Sequence, residues 1–114
     1  MLDEQMLARQ QPLFAALADP MRRSLLADLA AASPKTATQL SADYPITRQG
    51  ILKHLQILED AGLVAARQSG REKRYSLTPE PLSALEQWLN EIGNLWDTRL
   101  LRLKALVEQD ALGD

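Results

Sequence analysis

The sequence contains no cysteine and a single histidine, His54. Without cysteine there can be no disulfide, no thiolate metal site and no cysteine nucleophile. That absence fits a cytoplasmic protein. No apolar run approaches the ~20 residues that a transmembrane helix needs, so no membrane partner is expected. The opening stretch MLDEQMLARQQ is acidic and polar, which is not the pattern of a secretory signal peptide. Internal repeats and low-complexity segments are missing too. Nor is there a nucleophile–base pair, a phosphate-cradling glycine loop or a metal-ligand cluster. The composition therefore gives no support to an enzyme and calls for no cofactor.

Excess positive charge is also missing. The net charge is −2, which speaks against indiscriminate nucleic-acid binding. Its distribution is uneven, however. Residues 48–74 carry six basic groups (Arg48, Lys53, Arg67, Arg71, Lys73, Arg74) against three acidic ones. Residues 75–114 carry three basic and seven acidic groups. Positive charge is concentrated in about a quarter of the chain.

At 114 residues the chain reads as one domain, spanning 1–114. Such a length buries roughly two-thirds of its surface, enough for one core. Leu2, Met6 and Leu7, then Leu13, Phe14 and Leu17, recur at helical spacing, interrupted at Pro12. A short arm is expected, then a helix over about 12–18. Asp19-Pro20 stops one helix and starts the next, which runs over about 20–31 with Leu25, Leu26 and Leu29 inward. ASPKT reads as a loop. Thr36 or Thr38 can cap a short third helix reaching about Asp43. Pro45 disfavours helix at Tyr44. Thr47 caps a fourth helix, closed by Gly62.

After Gly62 the period changes to two. LVAARQ and KRYSLT read as strands, with SGRE as the turn between them. A small two-stranded wing is expected over about 63–78. TPEP then starts a last helix over about 79–109, with Thr78 as its cap. Leu82, Leu85, Leu89, Ile92, Trp96, Leu103 and Leu106 recur every three or four residues, with Arg99 in the expected place of an eighth. Trp88 and Leu95 form a neighbouring stripe.

The segment ITRQGILKHLQILEDAGLV (46–64) carries the most chemistry. At 100° per residue, Ile51, Leu55 and Leu58 share a core face, with His54 beside them. His54 reads as a half-buried structural residue. Gln49, Leu52, Lys53, Gln56 and Asp60 fall opposite, and Arg48 lies at the shoulder. A short helix, a three-residue turn and this helix make a helix-turn-helix over about 36–61. The second helix of such a unit enters the DNA major groove, its first turns at the base edges. Arg48 can donate two bonds to guanine, and Gln49 can pair with adenine. Leu52 suits a thymine methyl. Thr47 and the free amides of the first turn suit a phosphate. Lys53 suits a phosphate or a base. Thr38, Gln39 and Gln56 complete the expected contact set of the two helices. Arg67, Arg71, Lys73 and Arg74 form a basic hairpin beside them. As a plain alternative, that charge simply protects a sheet edge.

With these pieces in this order, the chain resembles the ArsR-type winged helix-turn-helix repressors. ALADPMRRSLLADL (16–29) looks like the family's opening helices. ITRQGILKHLQILEDAGLV looks like its recognition helix. GREKRYSLTPEPLSALEQWL (70–89) and LWDTRLLRLKALV (95–107) look like the wing and last helix of a metal-independent branch. The resemblance implies a mainly α fold with a β-wing. It implies a homodimer joined through the first and last helices, here Leu13, Phe14, Leu85, Trp88, Leu89, Ile92, Leu95, Trp96 and Leu103. It implies double-stranded DNA as partner, a palindromic operator and repression by blocking polymerase.

Metal-sensing relatives place cysteines before the recognition helix, or histidines in the last helix. Here the third helix is TATQLSADY and the last has only carboxylates, so metal sensing is not expected. Leu52 stands where relatives often have a small or polar residue, and Gly50 where alanine is usual. No inducer can be named, and Trp88 and Trp96 read as interface core. The competing function is a winged-helix module that binds protein rather than DNA. The basic patch, with Arg48 and Gln49 at a helix start, favours DNA.

Overall fold

The computed structural model describes residues 4–112, with side chains over 10–109. Leu2 lies outside the described residues, and the side chains of Met6 and Leu7 are likewise not described. The chain divides into two compact units, residues 1–81 and 82–114.

The first unit opens with helices α1 (Glu4–Leu17) and α2 (Pro20–Ala31). Helix α1 starts well before the expected 12–18, with Pro12 inside it. An interior proline removes one ladder bond and crowds the carbonyl four residues back, yet the rest of the ladder carries the helix past it. Asp19 caps α2, its Oδ2 accepting from the Arg22 amide at 3.0 Å. That amide bond, opposed by some desolvation, holds the Asp19 carboxyl below the usual carboxylate range.

Helix α3 (Ala37–Ser41) is shorter than expected. Thr36 is its cap: Thr36 Oγ1 accepts from the Gln39 amide at 3.1 Å, while Gln39 Oε1 accepts from the Thr36 amide at 2.9 Å. This reciprocal capping box settles the choice between Thr36 and Thr38. The connection to α4 (Arg48–Asp60) covers residues 42–47, longer than the three-residue turn expected. Pro45 keeps Tyr44 out of the helix. The Tyr44 hydroxyl donates instead to the Asp28 carboxylate on α2. Thr47 Oγ1 caps α4 through the Gly50 amide at 3.1 Å.

Helix α4 ends in a Schellman motif. The Leu63 amide donates to the Leu58 carbonyl and the Gly62 amide to that of Glu59, both at 2.9 Å. Gly62 takes φ +77° at the position where this motif needs left-handed backbone.

The wing is a hairpin. Its strands pair in register from Val64↔Leu77 to Ser69↔Glu72, and Gly70-Arg71 form a two-residue turn with Gly70 at φ +62°. A positive φ at the first central residue matches the strand twist. A third strand went unexpected. Lys35–Thr36 lies within the ASPKT stretch read as loop, and pairs antiparallel with Tyr75 and Arg74. Two residues carry too little alternation for a periodic pattern to mark them. With β1 (Lys35–Thr36), β2 (Val64–Ser69) and β3 (Glu72–Leu77), the sheet order is β1-β3-β2.

The core of this unit follows the sequence pattern. Leu25, Leu26 and Leu29 of α2, Ala37 and Leu40 of α3, and Ile51, Leu55 and Leu58 of α4 are all buried. Leu63, Val64 and Tyr75 are buried with them.

The second unit holds most of one helix, α5 (Glu80–Leu112), whose first two residues fall in the first unit. Thr78, expected as its cap, lies two residues before this start, and its amide donates to the Leu63 carbonyl at 2.9 Å. Among the described residues no helix is long and apolar enough to cross a membrane.

Candidate nucleic-acid interface

The exposed face of α4 is built by its cap and its core. With Ile51, Leu55 and Leu58 buried, Arg48, Gln49, Lys53 and Gln56 must point to solvent, and all four are exposed. Thr47 is exposed too; its oxygen caps the helix, and its hydroxyl hydrogen remains available to a phosphate. Leu52 is half-buried and lines a shallow groove of about 250 Å³ with Gln49, Lys53 and Gln56. Gln56 is partly engaged, since its Nε2 donates to Asp60 Oδ1 at 2.8 Å.

Helix α3 stands beside the start of α4. Arg48 Nε donates to Thr38 Oγ1 at 3.2 Å. Thr38, Gln39 and Arg48 line one cavity of about 400 Å³ together with Thr36 and the wing residues Arg71, Glu72 and Lys73. The tips of α3, α4 and the wing therefore share one concave, net basic surface.

The wing's basic residues do not form a single patch. Strand alternation puts Lys73 on the same face as the buried Tyr75. Lys73 Nζ lies 4.0 Å from Glu59 Oε2 and 5.6 Å from the centre of the Tyr75 ring. Arg67 and Arg74 lie on the other face, directly opposite each other across the strands. They line a separate cavity of about 490 Å³ with Pro34, Gln68, Ser69 and Ser76. Like charges in direct register repel. Glu72 relieves part of this, its Oε2 lying 3.4 Å from Arg74 Nη2. Arg71 projects from the turn and is exposed.

His54 is half-buried, as expected, between α2 and α4: its Nδ1 lies 3.9 Å from Asp19 Oδ2 and 3.4 Å from Arg22 Nη1. Arg22 was not among the expected site residues, and no spacing marks it. Thr36 was expected only as a possible cap. The T-x-x-Q pattern of Thr36 and Gln39 was the available signal for its role at this surface.

Of the expected interface residues, Leu13 is buried and Phe14 half-buried. On α5, Leu85, Trp88 and Ile92 are half-buried, whereas Leu89, Leu95, Trp96 and Leu103 are exposed. Leu100 and Val107, which were not expected, are exposed as well. They continue the stripe past Trp96 at spacings of four and three, bypassing Arg99. Arg99 instead lies over the Trp96 ring, 5.9 Å from its centre.

Comparison with known proteins fixes the family. A family model described as a helix-turn-helix domain matches residues 17–67. The HTH-type transcriptional regulator YuzN of Bacillus subtilis, described as uncharacterized, is 38% identical over 84 residues, covering 68% of this chain and 91% of that protein. An ArsR-like transcriptional regulator from Rhodococcus sp. RHA1 has a solved structure 35% identical to this chain. It superposes with a TM-score of 0.83 over 95% of this chain and 98% of that one. The chain belongs to the ArsR-type winged helix-turn-helix transcriptional regulators. It is a DNA-binding regulator, not an enzyme. A further relative, the transcriptional repressor SdpR of Bacillus subtilis, is 31% identical over 77% of this chain and 97% of its own length.

Proposed function

We propose that this regulator is a homodimeric repressor that binds a palindromic operator, placing one α4 in each of two successive major grooves. The observation that carries the reading is the exposed face of α4. A capped helix start presents Arg48 and Gln49 one turn ahead of Leu52 and Lys53, beside the concave surface shared with α3 and the wing. Arg48 and Gln49 are the base readers, and Leu52 packs on a thymine methyl. Thr38, Gln39, Thr47, Lys53 and Gln56 hold the backbone on either side, and Arg67, Arg71, Lys73 and Arg74 extend the contact through the wing.

Dimerisation is supported by α5, whose exposed leucines and Trp96 form a stripe too apolar to leave in water. In a two-fold dimer the half-sites are separated by about one helical turn of DNA, roughly 34 Å. Repression is supported by the likeness to SdpR. The test is selection of bound duplexes from a random pool at near-physiological salt, with wild type and Arg48→Ala in parallel. A palindrome with wild type, and loss of one base pair of preference per half-site with the variant, is expected. Selection without any motif, with binding lost at modest salt, would refute sequence reading.

A further inference from the structure

A free arginine at a helix start is a poor reader, because its long side chain carries about 2 kcal/mol of rotamer entropy that recognition must remove. Arg48 is not free. Its Nε donates to Thr38 Oγ1 across the gap between α3 and α4. The acceptor is itself held: Thr38 follows the buried Ala37, in a helix fixed by the Thr36–Gln39 capping box and by the buried Leu40. Both terminal nitrogens of Arg48 make no hydrogen bond among the described residues.

A guanidinium can meet a base through two edges, one using Nε and a terminal nitrogen, the other using Nη1 and Nη2. The Thr38 bond occupies Nε and leaves the second edge. That edge carries two parallel donors, the pattern that fits the O6 and N7 acceptors of guanine. We propose that Thr38 is a positioning residue for base recognition: it pins Arg48 through Nε so that the Nη1/Nη2 fork alone is offered to a guanine. This rests on base reading by Arg48 and adds the residue that sets how sharply it reads. A lysine at 48 could not substitute, having neither the fork nor the second attachment point.

The test uses the duplex recovered with wild type, and the same duplex with each base pair exchanged in turn. Thr38→Val keeps the side chain's shape and removes the acceptor; Thr38→Ser keeps the acceptor. A hydrogen bond of ordinary net strength predicts that Thr38→Val lowers the preference for guanine at one base pair per half-site by about 3- to 10-fold. Preferences at the other positions are retained, and Thr38→Ser restores the lost one. In an Arg48→Ala background, Thr38→Val should change that preference no further. Two results overturn the proposal while leaving Arg48 as reader. In one, Thr38→Val retains the full guanine preference. In the other, it weakens all duplexes alike, which makes Thr38 a phosphate contact only. If wild type shows no guanine preference that depends on Arg48, base reading itself fails and the proposal falls with it.

Discussion

Arg22 Nη1 stands 3.4 Å from His54 Nδ1, which ties the α1–α2 corner to the helix expected to read DNA. Nδ1 accepts there when the imidazole proton sits on Nε2. The same guanidinium donates from Nε to the Ala16 carbonyl at 2.8 Å and from Nη2 to that of Ala15 at 3.0 Å. These are last-turn carbonyls of α1, which the helix itself leaves unpaired; that of Ala15 also accepts from the Ala18 amide at 3.3 Å. One planar fork thus closes a helix end and orients α4. Arg22→Lys keeps the charge but cannot reach three acceptors at once, so it should cost about 1–3 kcal/mol of stability. Arg23 makes one exposed bond, to the Leu17 carbonyl at 2.7 Å, and Arg23→Lys should stay within about 0.5 kcal/mol. Urea midpoints at unchanged slope give both values. Equal midpoints for the two variants would show that the Arg22 network contributes nothing special.

Tyr44 provides a second check, through pH. Its phenol is pushed up to about 12, first by burial and then by its bond to, and the charge of, the Asp28 carboxylate. The folded value lies above the ordinary 10.0. The neutral phenol therefore contributes stability that is complete below that ordinary value and lost as pH rises through the folded one. Wild type should lose its advantage over Tyr44→Phe between about pH 10 and 12, measured as the gap between their urea midpoints. A gap that stays constant across this range would remove Tyr44 as the clasp between α2 and the α3–α4 connection.

Two glycines, one inside α4 and one just past its end, should respond with opposite signs. A Cβ on Gly50 would meet Thr47 Oγ1 at 3.5 Å and Ile46 Cδ1 at 3.6 Å, ordinary contacts, inside regular helix. Gly50→Ala should stabilise by up to about 1 kcal/mol, the helix-propensity difference. Gly62 has open space around it but φ +77°. Gly62→Ala should destabilise by about 1–2 kcal/mol, the cost of left-handed backbone for an L-residue. Thermal melts of the two variants decide it, and shifts of the same sign would contradict this account of the α4 termini.

How much of this was legible beforehand depends on how far each feature reaches along the chain. The core face of α4 was readable because Ile51, Leu55 and Leu58 repeat at helical spacing and are in fact buried. The cap at Thr47 and the stop at Gly62 were readable because caps act within a turn or two. The start of α1 was not, because Pro12 carries a local signal that the surrounding helix overrides. Strand β1 was not, because its pairing with Tyr75 and Arg74 joins residues far apart in sequence. The division of the wing into two faces follows from alternation and could have been read from the register. The partners of Arg22 and Arg48 could not: a side chain's choice of acceptor is made in three dimensions.

On α5, Leu89, Leu95, Trp96, Leu100, Leu103, Leu106 and Val107 are each more than half exposed, between 53 and 61%. At 100° per residue, Leu89, Trp96, Leu100, Leu103 and Val107 fall within about 60° of one another, with Leu106 and Leu95 about 60° and 80° beyond one edge. Leu101, 67% exposed, falls at least about 100° away from that stripe. A second copy of this helix, brought against the first by a two-fold axis, would cover the stripe with its own equivalent and leave Leu101 in water. Trp96→Asp places a charge where the apolar contact would be, whereas Leu101→Asp places one in solvent. Sedimentation should therefore find wild type and Leu101→Asp as dimers and Trp96→Asp as monomer at the same concentration. The operator affinity of Trp96→Asp should fall toward that of a single half-site, because the two recognition helices would no longer be joined. A Trp96→Asp variant that remains dimeric would mean that this face of α5 is not what holds two chains together. Dissociation by Leu101→Asp would mean that the interface lies on the other side of the helix.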